Sequence, residues 1–533
     1  MIAVVALLLF LAAIGAPLFV IVGAITALSL TLFTDFSRLE DMRVLIQHME
    51  GLATRQEFLA IPLFMASGAI MTAGGIARRL VELMRALLVS LPGGLAVASV
   101  AACMFFAAIS GSSPVTLIAV GSMMVPALVK NKYPEDFSIG LVTTAGSLGC
   151  LVPPSMSMLI YAISVSGAAT VDPSDLFLAG LVPALLVAGL LALYSVWTGS
   201  KLPPSDEPKS FALVLEKVRE ASWALLLPFL VLGGIYGGWY TPSQAGAVAV
   251  VYALFVTVWV HQELSLRQAF QAMMQSAQLM GTLLPIIVLA FGLNELLALV
   301  DVQEKLMDGI RAIDPSPAGF LVGVNLVLIV LGALMDSISA TLIFAPLLAP
   351  VAQDMFGIDP IHFGIIFVVN MEIGYLAPPV ATNLFVASAI FRKPFGFVSK
   401  AVLPTLGLTV LALALIIYIP TISLAALNLR DGKPIWSAFP WDGPPKAAAV
   451  AAQGDDDAPA APSTGTSTKA GGVPSLKSLT GKIAGDLAGE GESAASDDDD
   501  DEAPRPSGGV PSLKSLTQKI AGDLEAGSST TTE

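Results

Sequence analysis

The sequence predicts an all-α polytopic membrane protein built as an inverted repeat, with two re-entrant hairpins and two split helices. Three observations carry that reading. Hydrophobic residues make up 55% of the 533-residue chain and charged residues 13%, where soluble domains carry about 25% charge. Uninterrupted apolar runs such as 2–33 and 402–419 have the length and composition that lipid, rather than a shared core, requires. A stretch of the first half also recurs 225 residues later in the second.

Nine runs are long enough to cross a bilayer: 2–33, 58–76, 137–165, 176–197, 223–239, 245–260, 281–300, 363–390 and 402–419. The first has no basic residue before it and no small-residue cleavage site, so it reads as a retained span rather than a signal peptide. Two more apolar stretches, 93–129 and 319–352, are about twice the length of a span. They are broken halfway by Ser110-Gly111-Ser112-Ser113 and Asp336-Ser337-Ile338-Ser339. These stretches predict the re-entrant hairpins, because non-helical backbone at membrane depth is tolerated only where protein or a wet cavity surrounds it. Ahead of each hairpin an amphipathic stretch, 77–90 and 301–314, predicts an interfacial helix.

The repeat aligns Gly149-Cys-Leu-Val-Pro-Pro154 with Gly374-Tyr-Leu-Ala-Pro-Pro379, Leu159 and Ala162 with Leu384 and Ala387, and Thr116-Leu-Ile118 with Thr341-Leu-Ile343. The same register sets the two hairpin centres opposite each other. It divides the chain into a first repeat (1–199), a connecting loop (200–222), a second repeat (223–423), an interfacial segment with Trp436, Phe439 and Trp441 (424–445) and an acidic tail (446–533). Four spans in the first half and a fifth, 223–239, ahead of the second half's own make an odd count. An odd count turns the second copy upside down, an architecture shared by many secondary transporters. Lys and Arg gather in loops on one side, among them Arg78, Arg79, Arg85, Lys130, Lys132, Lys217, Arg219, Arg392 and Lys393, which sets that side cytoplasmic. Arg38, Arg43 and Arg55 fall on the other side, next to acidic neighbours.

The net charge of -14 is uneven: residues 446–533 hold 15 of the 41 acidic groups and 7 of the 27 basic ones. Rich in Ala, Gly, Pro, Ser, Thr and Asp, the tail has too little apolar surface for a core and predicts disorder. Within it Gly471 to Leu487 recurs as Gly508 to Leu524 with one difference, Gly481 against Gln518. Cys103 and Cys150 lie in apolar runs, and His48, His261 and His362 are far apart, a pattern with no disulfide framework or metal-ligand spacing. No Gly-x-Ser-x-Gly elbow is present either, which argues against hydrolase chemistry and against an enzyme.

The breaks carry the candidate site. Ser113-Pro114 sets an N-cap residue before a proline at the first helical position, leaving amide hydrogens free to face the gap. A helix N-terminus at that depth attracts an anion. The hydroxyls of Ser110, Ser112 and Ser113 around Gly111, with the carbonyls that end the first arm, are hard oxygen ligands suited to Na+. Asp336, Ser337 and Ser339 are the second-half equivalents. Pro153-Pro154 and Pro378-Pro379 each remove two amide donors and split their span. The carbonyls of 149–152 and 374–377 are thereby freed, beside Ser155, Ser157, Thr382 and Asn383. Two Na+ sites are expected, one from Ser110, Ser112, Ser113 and Gly149 and one from Asp336, Gly374, Thr382 and Asn383. Small-residue helix contacts and plain proline kinks are the simpler accounts of these residues, and recurrence in register weighs against them. Acidic residues inside apolar segments are functional candidates. Asp336 either caps its hairpin arm or binds an ion, and Glu372 is protonated, paired with Asn370 or a ligand. Asn294 with Glu295 reads as interfacial.

Further motifs are Leu59-Ala-Ile-Pro-Leu-Phe64, Leu176-Phe-Leu-Ala-Gly180, Gly357-Ile-Asp-Pro-Ile-His-Phe-Gly364 and Asn370-Met-Glu-Ile-Gly374 leading to Asn383-Leu-Phe385. With Ser110-Gly-Ser-Ser113 and Gly149-x-Leu-x-Pro-Pro-Ser155, they resemble the large membrane subunit of tripartite ATP-independent periplasmic (TRAP) transporters over about residues 1–425. The resemblance implies an elevator-type carrier of the bacterial inner membrane with Na+ as coupling ion and no organic cofactor. It also implies two partners, a small four-span membrane subunit and a soluble periplasmic substrate-binding protein, and import of a small organic anion of the carboxylate class. Ala377 stands where Thr commonly precedes the proline pair and Ala381 where Gly commonly follows it, so one hydroxyl ligand of the second site is missing. The competing reading is a self-sufficient Na+/divalent-anion elevator symporter, which works without a binding protein. An intramembrane hydrolase would need a base beside its nucleophile, and no His lies near the Ser motifs in sequence.

Overall fold

A computed structural model describes residues 20, 23, 24, 26, 56–166, 171–203, 210–299, 301–379 and 381–439. Most of span 2–33, Arg38, Arg43, Arg55, Trp441 and the whole acidic tail with its duplicated motif lie outside the described residues. Among the described residues there is no strand. After a 3-10 turn at Gln56–Leu59 come α1 (Ala60–Ala73), α2 (Ile76–Leu88), α3 (Gly94–Ser110), α4 (Ser113–Lys130), α5 (Glu135–Ser147), α6 (Met156–Val165) and α7 (Pro173–Gly199). They are followed by α8 (Phe211–Tyr236), α9 (Pro242–Leu254) with a π turn at Phe255–Val260, α10 (Leu266–Leu299), α11 (Val302–Ile313) and α12 (Pro317–Leu334). The chain continues through α13 (Ser337–Phe356), α14 (Pro360–Gly374), α15 (Thr382–Phe391), α16 (Phe395–Tyr418) and α17 (Thr421–Arg430). Nine described helical stretches are long and apolar enough to cross a membrane.

Local chemistry sets the boundaries. Asp172, Thr241, Ser316 and Asp359 cap α7, α9, α12 and α14, each with proline in the first turn, where its missing N–H costs no helical bond. The same order of elements occurs twice at the 225-residue offset: amphipathic helix (α2, α11), hairpin (α3–α4, α12–α13), split helix (α5–α6, α14–α15) and long closing helix (α7, α16). Both proline pairs at the splits are cis.

Three stretches differ from the sequence reading. Residues 211–222, assigned to the connecting loop, are the first turns of α8, and the span read at 281–300 extends back to Leu266 in α10. In both, polar residues such as Lys217, Arg219 and Gln271 lower the hydropathy without breaking the helix. The segment from 424 onward starts inside α17, with Leu424 and Leu427 buried; Phe439 is buried against the Tyr418 ring, 5.7 Å between centroids, while Trp436 is exposed.

The inner helices pack at backbone distance. Every residue of α14 from His362 to Gly374 is buried, and α12, α13, α7 and α16 surround it. At the α5–α16 crossing a Cβ on Gly140 would stand 2.0 Å from the Ala401 carbonyl oxygen. Gly140→Val should therefore push these helices apart and cost about 1–3 kcal/mol, read as a lowered Tm in detergent. A wild-type Tm would mean the crossing is loose. At the second split, buried Ala381 sits at φ +36, where an L residue costs roughly 1–2 kcal/mol. Ala381→Gly should raise Tm, and a lowered Tm would show that the methyl packs well enough to outweigh the backbone cost.

Candidate functional site

The tip of the first hairpin and the break of the first split helix close on each other through glycine. Gly111 ends α3 at φ +58, a conformation glycine adopts without a Cβ penalty. Its carbonyl accepts from the Met156 amide at 3.3 Å, and a Cβ on Gly111 would lie 2.6 Å from the Pro154 carbonyl oxygen. A Cβ on Gly149 would lie 2.6 Å from the Ser112 carbonyl. Any side chain at either position would force tip and break apart.

The hydroxyls at the tip are mutually engaged. Ser110 Oγ and Thr116 Oγ1 are 2.8 Å apart, and Thr116 Oγ1 donates to the Ser112 carbonyl at 2.8 Å. The N-cap of α4 is Ser112, not Ser113, and its side chain makes no capping bond. Ser113 occupies the first helical position, since Ser112 already supplies the extended turn before it, and the Ser113 hydroxyl is left for another partner. That partner is Asn383, whose Nδ2 donates to Ser113 Oγ at 2.6 Å. Ser155 caps α6 through the Met158 amide and donates to the Cys150 carbonyl.

The second hairpin is built differently. Asp336 is the N-cap of α13, its carboxylate accepting from the Ile338 amide at 3.1 Å, which gives the capping role a direct geometric basis. Ser337 Oγ donates to the Tyr375 hydroxyl at 2.7 Å. Ser339 Oγ is buried without a hydrogen-bond partner. Gly374 meets the first arm rather than the tip, since its Cβ would stand 2.6 Å from Gly332. The sequence grouped Asn383 with Asp336; the structure brings its side chain to the first hairpin instead, so the N-termini of α4 and α15, from opposite repeats, meet at one point. Asn383 Oδ1 is buried there with no partner. Thr382 opens α15 beside it.

Glu372 is fully buried, and its Oε1 accepts from Ser147 Oγ at 2.8 Å. These two residues are separated by the repeat offset itself, so equivalent positions of the two halves face each other. Asn370 does not pair with Glu372: its amide donates to Asn325 Oδ1 and to the Ile366 carbonyl. Asn294 is likewise not simply interfacial, for its amide donates to the Leu342 carbonyl on the second hairpin arm at 2.6 Å. Thr116, Ser147 and Tyr375 were missed as site residues. Ser147 was findable, because the offset maps it onto Glu372.

Residues 3–422 match the family described as "Tripartite ATP-independent periplasmic transporter, DctM component". The chain is 41% identical over 408 residues to the C4-dicarboxylate TRAP transporter large permease protein DctM of Pseudomonas aeruginosa, covering 76% of this chain and 93% of that protein. It is 37% identical over 368 residues to the isethionate TRAP transporter permease protein DctMQ of Oleidesulfovibrio alaskensis, covering 69% of this chain and 57% of that one. Against the 2,3-diketo-L-gulonate TRAP transporter large permease protein YiaN of Escherichia coli identity is 30% over 389 residues, 73% of this chain and 90% of the relative. Among solved structures, the YdaH transporter of Alcanivorax borkumensis shares the fold at a TM-score of 0.52 and 17% identity, over 79% of this chain and 98% of that one. Such relatives and the nine apolar helices make this a multi-pass protein of the inner membrane. With a family match over most of its length, the chain belongs to the DctM component, or large permease, family of tripartite ATP-independent periplasmic transporters.

Proposed function

We propose that this permease imports a small organic anion of the carboxylate class, drives it with Na+, and receives it from a soluble periplasmic binding protein while paired with a small four-span membrane subunit. The observation that carries the reading is the Asn383–Ser113 bond, which joins the starts of α4 and α15 from opposite repeats. Two helix N-termini aimed at one place present positive dipole ends, an arrangement that favours a carboxylate, while the Asn383 and Leu384 amides of α15 are already taken by the Tyr375 and Ala381 carbonyls. Two oxygens of the expected site residues are buried without protein partners, Asn383 Oδ1 at this meeting point and Ser339 Oγ in the first turn of α13. Unsatisfied buried oxygens ask for a ligand, and with the tip hydroxyls and Asp336 they form a set of hard donors that suits Na+. The relatives named above carry dicarboxylate, sulfonate and sugar-acid names, which supports an organic anion as the class.

Movement follows from the same architecture. The two hairpins and split helices form the carrying part and travel against a frame that includes α1, α8, α9 and α10, with α2 and α11 as the connecting arms. Inverted repeats make the two end states nearly equivalent.

The test is reconstitution in proteoliposomes. Uptake should require an inward Na+ gradient, the small subunit and the binding protein together, whereas Na+-driven uptake without the binding protein would favour a self-sufficient symporter and overturn the tripartite reading. In the complete system Asn383→Ala leaves the Ser113 hydroxyl without its donor. Removing such a buried partner costs about 1–3 kcal/mol, so the half-saturating Na+ or substrate concentration should rise roughly tenfold. Unchanged saturation curves for a well-inserted variant would remove this pair from the site.

A further inference from the structure

Away from the hairpins, a cavity of about 640 Å³ opens between α2, the start of α8 and the π turn after α9, lined among others by Arg79, Arg219, Trp223 and His261. Its charges are unevenly matched. Lys217 is held by Glu82 at 2.9 Å and Glu220 at 2.7 Å. Glu263 takes Arg78 at 3.0 Å and the Nη2 of Arg79 at 2.8 Å. The second terminal guanidinium nitrogen, Arg79 Nη1, and His261 Nε2 are buried and have no hydrogen-bond partner. Leaving such a group desolvated and unpaired is costly, and here two from different elements line one cavity.

We infer that this cavity binds the phosphate of an anionic glycerophospholipid, with Arg79 Nη1 and His261 Nε2 as its donors. A guanidinium with a free N–H edge matches phosphate oxygens in charge and geometry. Burial and the neighbouring Arg79 hold His261 below its ordinary pKa, with Glu263 opposing them, and the always-charged Arg79 supplies the cation for the phosphate. The lipid source follows from the surroundings. The face of α8 beside the cavity exposes Phe211, Leu215, Leu226 and Phe229, a surface for acyl chains. Half-exposed Trp223 at the rim is the aromatic residue expected at headgroup level, and basic pockets between helices at this depth suit lipid headgroups. A phosphate seated here would pin α2 to the end of α9 in addition to the Glu263 pairs.

Native mass spectrometry of the delipidated full chain, titrated with phosphatidylglycerol, tests the assignment. One phosphatidylglycerol should be retained, and its apparent affinity should fall at least fivefold in both Arg79→Gln and His261→Ala. Diacylglycerol of the same chains, which lacks the phosphate, should not be retained. Because Arg79→Gln also loses an ion pair, only variants with wild-type Tm and elution volume are compared, and His261→Ala, outside any ion pair described for this pocket, carries the test if Arg79→Gln fails that standard. Undiminished retention in His261→Ala, or equal retention of diacylglycerol, would overturn the site. Displacement of the lipid by millimolar inorganic phosphate would assign the pocket to a free anion and overturn the lipid reading.

Discussion

A helix broken inside a bilayer exposes amides and carbonyls that lipid cannot satisfy, and the centre of this protein is arranged to have one break answer another. The first hairpin tip lies on the first split helix with glycine on both sides of the contact, Gly111 against Pro154 and Gly149 against Ser112. The Gly111 carbonyl takes the Met156 amide, so the two interrupted ladders repair each other directly. What is left unrepaired beside the breaks includes two buried side-chain oxygens, Asn383 Oδ1 and Ser339 Oγ.

The second half solves the same problem with different chemistry. Asp336 caps α13 with its side chain at the Ile338 amide, whereas Ser112, the N-cap of α4, makes no side-chain capping bond. Tyr375, next to Gly374, ties the second tip to the second split through Ser337. The closest glycine approach moves accordingly, from tip to arm, where Gly374 meets Gly332. Two copies of one architecture thus present unequal surfaces to whatever lies between them. A carboxylate stands at the second tip, where the first tip carries hydroxyls. The Ser147–Glu372 bond between equivalent positions holds these unequal halves in register at their centre.

The arms differ in the same way. α2 buries six residues beneath α3 and α8, whereas α11, its counterpart at the 225-residue offset, buries none among the described residues. The helix that covers α2 is the inter-repeat connection, which a two-fold repeat on one chain supplies only once. Pseudo-symmetry in sequence therefore does not carry over to equal burial, and each arm meets its surroundings on different terms.

Much of this was readable from the chain alone, because the signals are local. Apolar runs, hydroxyl-rich breaks and Pro-Pro pairs act through their own backbone, so both hairpins lie close to the sequence bounds, with α3–α4 spanning 94–130 and α12–α13 spanning 317–356. The start of α8 was hidden because hydropathy registers charge and a helix does not need apolar residues on every face. The site was legible as a set of residues but not as a set of pairs. Ser113 and Asn383 are 270 positions apart in different repeats, and their partnership depends on how the halves dock, which no spacing encodes. Likewise the capping of α13 by Asp336, the exclusion of Asn370 from Glu372 and the crowding at Gly374 are outcomes of close packing. The sequence by itself determined which backbone would break and which oxygens would stand beside the breaks; only the tertiary structure decided which break faces which, because that choice rests on contacts between segments far apart in the chain.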